Sequence, residues 1–439
     1  MRVFVAGATG VIGRRVVARL VQAGHTVTAV ARSASKAQQL TAMNATPVDV
    51  DLLDDDAVHA AVAGHDAVVN LATKIPSGVA ATRRTAWAEN DSLRSVASTH
   101  LVDAAFAAGT SVFVQESVCF GYVDRGAEWI DEDTTVALTS PIRSTSDAEA
   151  NTARFAAAGG RGVVLRFAML VAPDAAHTID LLRLARLGRL AMAGAPERYQ
   201  CTIHADDAAA AVLAAVERAP SGIYNVSDDD PLTVSEHASV LTVAIGRHVG
   251  MLPQGVRDAG GELTDLLRRS QRVSSAKLTE ATGWRPAHPS MRDAWPEVVG
   301  RLGGRQASTG PITHLGLWLL AASALVIGVQ ALFAPRWFYN EFPLGRGWVA
   351  ADGPFNQHLL RDFGALQLAL FVVTVVAIVT RRVGLARLAG GATLVFALPH
   401  LVYHLGHRGS LGDADLISSL GALTITAAVA ALTLFRPEH

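Results

Sequence analysis

Residues 1–13 read MRVFVAGATGVIG, and residues 14–24 continue RRVVARLVQAG. A short β-branched and aromatic run, RVFVA, leads into Gly7, Gly10 and Gly13, after which Val16, Val17, Leu20 and Val21 recur at helical spacing. The first run predicts a buried strand, and the second a helix with one apolar face. A glycine-rich turn between them lets backbone come close to a phosphate. The free N–H groups and positive dipole end of the helix then favour an anion. Gly7, Thr9, Gly10, Val11, Ile12 and Gly13 are therefore candidates to hold the pyrophosphate of a dinucleotide.

The alternation continues to about residue 230. TVTAVAR, DAVVNLA, SVFVQES, GVVLRFAML and GIYNVS have the near-continuous apolar character of strands buried on both faces. SLRSVASTHLVDAAFAAG and DDAAAAVLAAVERA read as helices between them. The expected fold is α/β, a doubly wound, Rossmann-like parallel sheet over residues 1–300. Its part from about 175 to 300, interrupted by Pro253, Pro286, Pro289 and Pro296, forms a small substrate lobe. A formal net charge of −1 gives no reason to expect a nucleic-acid partner. Cys119 and Cys201 are too few for a disulfide framework or a cysteine-based zinc site, and no metal site is assigned. No leader-like apolar segment precedes the first strand, so this domain is expected in the cytoplasm.

The second strand ends at Arg32, where selectivity for NAD would place an acidic residue to bind the ribose 2′-hydroxyl. A guanidinium suits a 2′-phosphate instead, so NADP is the expected cofactor, with NAD as the alternative.

GATGVIG, VDVDL, NLAT, VQES, VVLRFAMLVAP and IHADDAAAAV, in that order, resemble the extended short-chain dehydrogenase/reductases, the NAD-dependent epimerase/dehydratase family. The likeness spans about residues 1–295. It implies that Asp51 and Leu52 flank the adenine, that Leu71 and Ala72 line the cofactor cleft, and that Asn90 matches an asparagine on the family's central helix. It also implies a catalytic Tyr-x-x-x-Lys pair, and here the sequence departs. PIRSTSDAEANTARF aligns with that helix and puts Arg143 and Asp147 where Tyr and Lys belong. The chain's lysines are Lys36, Lys74 and Lys277, and none follows a tyrosine by four residues. Ser117, with Glu116 one residue away in the alignment, matches the substrate-orienting serine, and Tyr122 is the candidate replacement acid. Lys74 is expected at the cleft mouth, and His204 at a helix start capped by Asp206 or Asp207. Two functions follow: an NADP(H)-dependent oxidoreductase or epimerase with an atypical site acting on an unidentified small molecule, or a non-catalytic NADP(H)-sensing module. The apolar run LLRLARLGRLAMAGAP hints at an apolar substrate.

After a Gly/Ser/Arg linker, 301–311, the chain turns apolar. Residues 315–334, 363–380, 388–407 and 416–435 each approach the length that crosses about 30 Å of hydrocarbon. Residues 312–439 are thus expected to form an all-α, four-helix transmembrane domain in the cell's inner membrane. Arg301, Arg305, Arg381, Arg382, Arg387 and Arg436 put both termini on the cytoplasmic side, against Arg336, Arg346 and Arg408. Trp337, Phe338, Tyr339 and Trp348 read as an interfacial aromatic belt. His358, the Arg361–Asp362 pair, His400, His404 and His407 fall toward the outer side, the last three on one helix face. A metal, haem or proton-relay site there, drawing on Asp362 or Glu341, stands against plain interhelical hydrogen bonding. The layout resembles small four-span bacterial modules of the DoxX-like kind.

Overall fold

The computed structural model describes residues 1–76, 80–81, 83–257, 259, 261–302, 309–407 and 410–435. It divides into two units, Met1–Gly303 and Gly304–His439. Most of the expected linker, with Arg305, lies outside the described residues, as do Arg408 and Arg436.

The first unit is built on seven parallel strands: β1 Arg2–Ala6, β2 Thr26–Val30, β3 Thr46–Val48, β4 Ala67–Asn70, β5 Val112–Val118, β6 Arg161–Phe167 and β7 Gly222–Val226. Their order is β7-β6-β5-β4-β1-β2-β3, so the chain reverses direction across the sheet between β1 and β4. That switch point is where doubly wound sheets bind ligands. Six of the strands coincide with the apolar runs. The seventh, β3, is three residues long and contains Pro47, which hides it from any period-two or apolar-run criterion. The run GVVLRFAML is two strands, since Met169–Val171 leaves the sheet after Ala168 and pairs with Thr202–His204.

Helices α1 Gly13–Gln22, α2 Ala34–Ala42 and α8 Ala205–Glu217 cover one face of the sheet through Val16, Val17, Leu20, Leu40 and Val212. Helices α3 Asp55–Val62, α5 Ser98–Ala107 and α6 Thr145–Ala157 cover the other through Val58, Leu101, Val102 and Phe155. Between α4 Ala88–Ser92 and α5 the central helix passes through a π turn, Leu93–Ala97. The lobe packs α7 Ala176–Arg186, α9 Val234–Ile245 and α10 Met291–Leu302 around Trp295, Leu182 and Leu241.

Trp295 Nε1 donates to Nδ1 of the fully buried His237 at 2.9 Å. Desolvation, with Arg198 nearby, pushes the His237 imidazole down to about 3. A depressed folded pKa contributes stability that is present above the unfolded value and lost as pH falls toward the folded one. Acid is therefore expected to remove about 2 kcal/mol between pH 7 and pH 5 through this group. Thermal unfolding of His237→Phe should show a flatter pH dependence over that interval.

In the second unit, Pro311–Phe333, Gln357–Thr380, Val383–Gly406 and Asp413–Phe435 form four helices long and apolar enough to cross a membrane, with mean hydropathy between 1.5 and 2.4. The first two pack tightly, because a Cβ on Gly364 would meet Gly328 O at 2.9 Å. Phe338 departs from the expected aromatic belt. It is buried against Phe342 and Phe363 rather than facing outward. Trp337 is exposed, while Trp348 donates to Asp415 at 3.0 Å.

Candidate functional site

The glycine loop occupies the switch point, and its shape depends on backbone contacts that no side chain would permit. Gly7 has φ +74°, and a Cβ there would lie 2.7 Å from Ala72 N and closer still to Leu71 O. A Cβ on Gly13 would lie 2.8 Å from Ala8 Cα and collide with Gly7 O. The turn closes through Gly10 N donating to Gly7 O at 3.1 Å, and α1 begins at Ile12–Gly13 with no side-chain cap. No side chain competes with a ligand at this helix end, where Arg14 N donates to Gly10 O at 3.2 Å and Arg15 N to Ile12 O at 2.9 Å. Arg15, unremarked in the sequence, holds the loop from behind: its Nη1 donates to Val11 O at 2.8 Å and its Nε to Asp206 at 2.6 Å. Asp174 accepts from Arg15 and pairs with Arg14.

The strand ends supply the rest of the cradle. Leu71 and Ala72 are buried beneath Gly7, and Ala72 N donates to Asn70 Oδ1 at 3.1 Å. Asn90, fully buried, accepts from Lys74 N at 2.9 Å and so fixes the loop that leaves β4. Asp51 is exposed with Leu53 N on its carboxylate, and Leu52 is buried beside it. Arg32 and Lys74 both reach Glu89 Oε1 at 3.8 Å, so two cations and one carboxylate converge beyond β2 and β4. This cradle fits a dinucleotide: a loop that accepts only hydrogen at Gly7 and Gly13, an uncapped helix end, and charged groups beyond the second strand.

Ser117 and Tyr122 are brought together, yet neither is open. Ser117 Oγ donates to Glu149 Oε1 at 2.6 Å, and Arg166 binds Glu149 through Nε at 2.8 Å and Nη2 at 2.7 Å. Arg166 Nη1 continues to the Tyr122 hydroxyl at 2.9 Å, and that hydroxyl donates to Asn225 Oδ1 at 2.7 Å. Ser117 is 1% exposed and Tyr122 0% exposed, so both hydroxyls are committed inside the protein. Burial pushes the phenol above its ordinary value, which makes it a weaker acid. Glu116 is not an alternative to Ser117, because both its carboxylate oxygens are held by buried Arg94 on the π turn at 2.9 and 3.2 Å.

Arg143, two residues before α6, and Asp147, in its first turn, are exposed, and Glu149 is the side chain from this helix that reaches Ser117. One turn before Glu149, the inward position is Thr145. Neither register of the helix supplies a Tyr or a Lys. Glu149 and Arg166 went unmarked in the sequence, although an arginine inside the apolar strand VVLRFAML had to find a buried partner. Cys119 and Cys201 are free, buried thiols. His204 differs from expectation: it is itself the cap of α8, its Nδ1 accepting from Asp206 N at 3.4 Å, while Asp207 reaches away to Ala287 and His288.

In the second unit His400 and His404 meet through their Nε2 atoms at 3.1 Å. His407 lies past the helix end, bonded to Tyr403 O and stacked on its ring, so the expected triad is a pair. His358 pairs with Asp362 at 3.3 Å, both exposed.

Residues 3–227 match the NAD dependent epimerase/dehydratase family. A 3-diazoavenalumate denitrifying reductase of Streptomyces is 33% identical over 311 residues, covering 67% of this chain and 98% of its own. The remaining third of this chain has no counterpart there. A 2-alkyl-3-oxoalkanoate reductase of Shewanella oneidensis is 29% identical over 267 residues, 55% of this chain and 66% of its own. Among solved structures, the human epimerase family protein SDR39U1 with NADPH superposes with a TM-score of 0.58 at 24% identity, covering 69% of this chain and all of that one.

Proposed function

Because this chain belongs to the NAD dependent epimerase/dehydratase family, we propose that its first unit is an NADP(H)-dependent reductase, tethered to the inner membrane by four spans, that works without the family's side-chain acid. The observation that carries this reading is the Ser117–Glu149–Arg166–Tyr122 network. It occupies the ground of the proton relay and commits the hydroxyls of Ser117 and Tyr122 to partners inside the protein. The dinucleotide, when bound, supplies hydride. The glycine loop and α1 hold its pyrophosphate, and Arg32 with Lys74 meets the 2′-phosphate. Acceptors whose reduction needs no protonated side chain at the reacting atom suit such a site. One curated relative is named as a reductase of a diazo compound. The four long apolar helices, with Arg381 and Arg382 between the second and third and Arg387 near the start of the third, support a cytoplasmic first unit.

Two measurements test this. Arg32→Ala is expected to weaken NADPH binding about tenfold to a hundredfold, roughly 1.4–2.7 kcal/mol, and to leave NADH nearly unchanged. Equal losses for both would remove the NADP(H) preference. With NADPH and a panel of aryldiazo compounds, ketones and nucleotide sugars, the full chain should turn over the first class, and Ser117→Ala should keep kcat within about tenfold. A loss of more than about a hundredfold would restore Ser117 to a proton relay. The second reading, an NADP(H) sensor, is favoured by the same closed network. Tight NADPH binding with no turnover of any class would select it.

A further inference from the structure

We propose that His204, His288 and Glu297 form a binding site for one divalent metal ion of the zinc class, joining the N-terminus of α8 to α10 within the first unit. One ligand atom from each residue lies within 4.8 Å of the other two. Metal–ligand bonds of about 2.0–2.2 Å place tetrahedral ligands roughly 3.2–3.6 Å apart, so the three need only settle around the ion. The His204 and His288 rings lie 4.2 Å apart, and His288 Nε2 is 2.9 Å from Glu297 Oε2.

Two features distinguish this cluster from a chance meeting of polar side chains. Asp207, buried, accepts from Ala287 N at 2.9 Å and His288 N at 3.0 Å and holds His288 Nδ1 at 2.8 Å. A carboxylate on Nδ1 fixes the ring and leaves Nε2 as the ligand atom, as is usual for metal-bound histidine. Ligation through His204 Nε2 would move the ring proton to Nδ1, which here accepts from Asp206 N at 3.4 Å and lies 3.7 Å from the Asp206 carboxylate that could then take up that proton's hydrogen bond. Moreover, His204 is 0% exposed and its Nε2 has no hydrogen-bond partner. Such a buried polar atom is costly to leave unpaired, and a metal bond would satisfy it. His288 and Glu297 are partly exposed, which leaves an entry path and a fourth position for water. Because Asp206 also binds Arg15, and Arg15 the glycine loop, the site adjoins the cofactor cradle without being part of it.

The test uses the full, untagged chain in detergent, stripped with a chelator and dialysed against zinc. Metal analysis should find one zinc per chain. His288→Gln and Glu297→Gln should each weaken zinc binding at least a hundredfold, and Asp207→Asn about tenfold to a hundredfold. A His400→Ala/His404→Ala chain should keep its zinc, which separates this site from the membrane pair. Cobalt(II) in place of zinc should give the visible absorption of a tetrahedral site in the wild type and not in Glu297→Gln. NADPH binding by each variant verifies its fold. Substoichiometric zinc in the wild type, or equal zinc in the folded variants, overturns the proposal. It would leave His288 as a hydrogen-bonded link between Asp207 and Glu297.

Discussion

Arg166→Met is expected to lower the stability of the first unit by about 3–5 kcal/mol, the range seen when one partner of a buried ion pair is removed. Arg166 is 7% exposed and makes two bonds to Glu149 and one to Tyr122. Without it the Glu149 carboxylate keeps only Ser117 as a donor, and the Tyr122 hydroxyl loses one of its two partners. Desolvation then acts on a charge with nothing opposite it. Calorimetry of the full chain should show the corresponding transition falling by roughly 6–15 °C. The double replacement Glu149→Gln, Arg166→Met should recover a substantial part, because it removes both charges together. A single-variant loss below about 1 kcal/mol would mean that water already solvates the pair and that the network does not close the site.

This expectation also locates what was legible in the sequence. The fold was, because its determinants are local: an apolar strand, a turn that tolerates only glycine, and a helix whose Val16 and Leu20 face the sheet. Four apolar helices were legible for the same reason, since length and hydropathy are properties of one segment. Glu149 and Arg166 were not read, because their meaning is a contact between a helix and a strand. The signal was present all the same. A charge within a strand predicted to be buried on both faces cannot stand alone, and Arg166 in VVLRFAML and Glu116 in VFVQES are both such charges. The histidine cluster had no comparable signal, since His288 lies in an irregular proline-rich stretch and meets His204 only through the packing of α8 and α10. Tyr122 is a candidate by residue type and by its place just beyond Ser117, on the loop that borders the cleft in relatives, and neither tells that its hydroxyl is held by Asn225 and Arg166.

Gly13→Ala should weaken NADPH binding by at least a hundredfold, about 2.7 kcal/mol. The added methyl would occupy space held by Gly7 O and Ala8 Cα, the second only 2.8 Å away. Both are backbone atoms, so no side-chain rotation relieves the contact, and either the loop or the start of α1 must shift. Phosphate recognition by helix N–H groups depends on donors converging within a few tenths of an ångström, and it falls steeply once they diverge. Gly10 makes the informative control. A Cβ there would meet Gly7 O at 3.3 Å, a tight contact that a small adjustment relieves. Gly10→Ala should therefore cost less than Gly13→Ala, unless the pyrophosphate itself occupies the space beside Gly10. Isothermal titration of both variants separates these cases. Equal, small losses would show that the loop yields and that the cradle is not shaped by the Gly7–Gly13 approach. A larger loss at Gly10 would place the phosphates against that residue rather than over the first turn of α1.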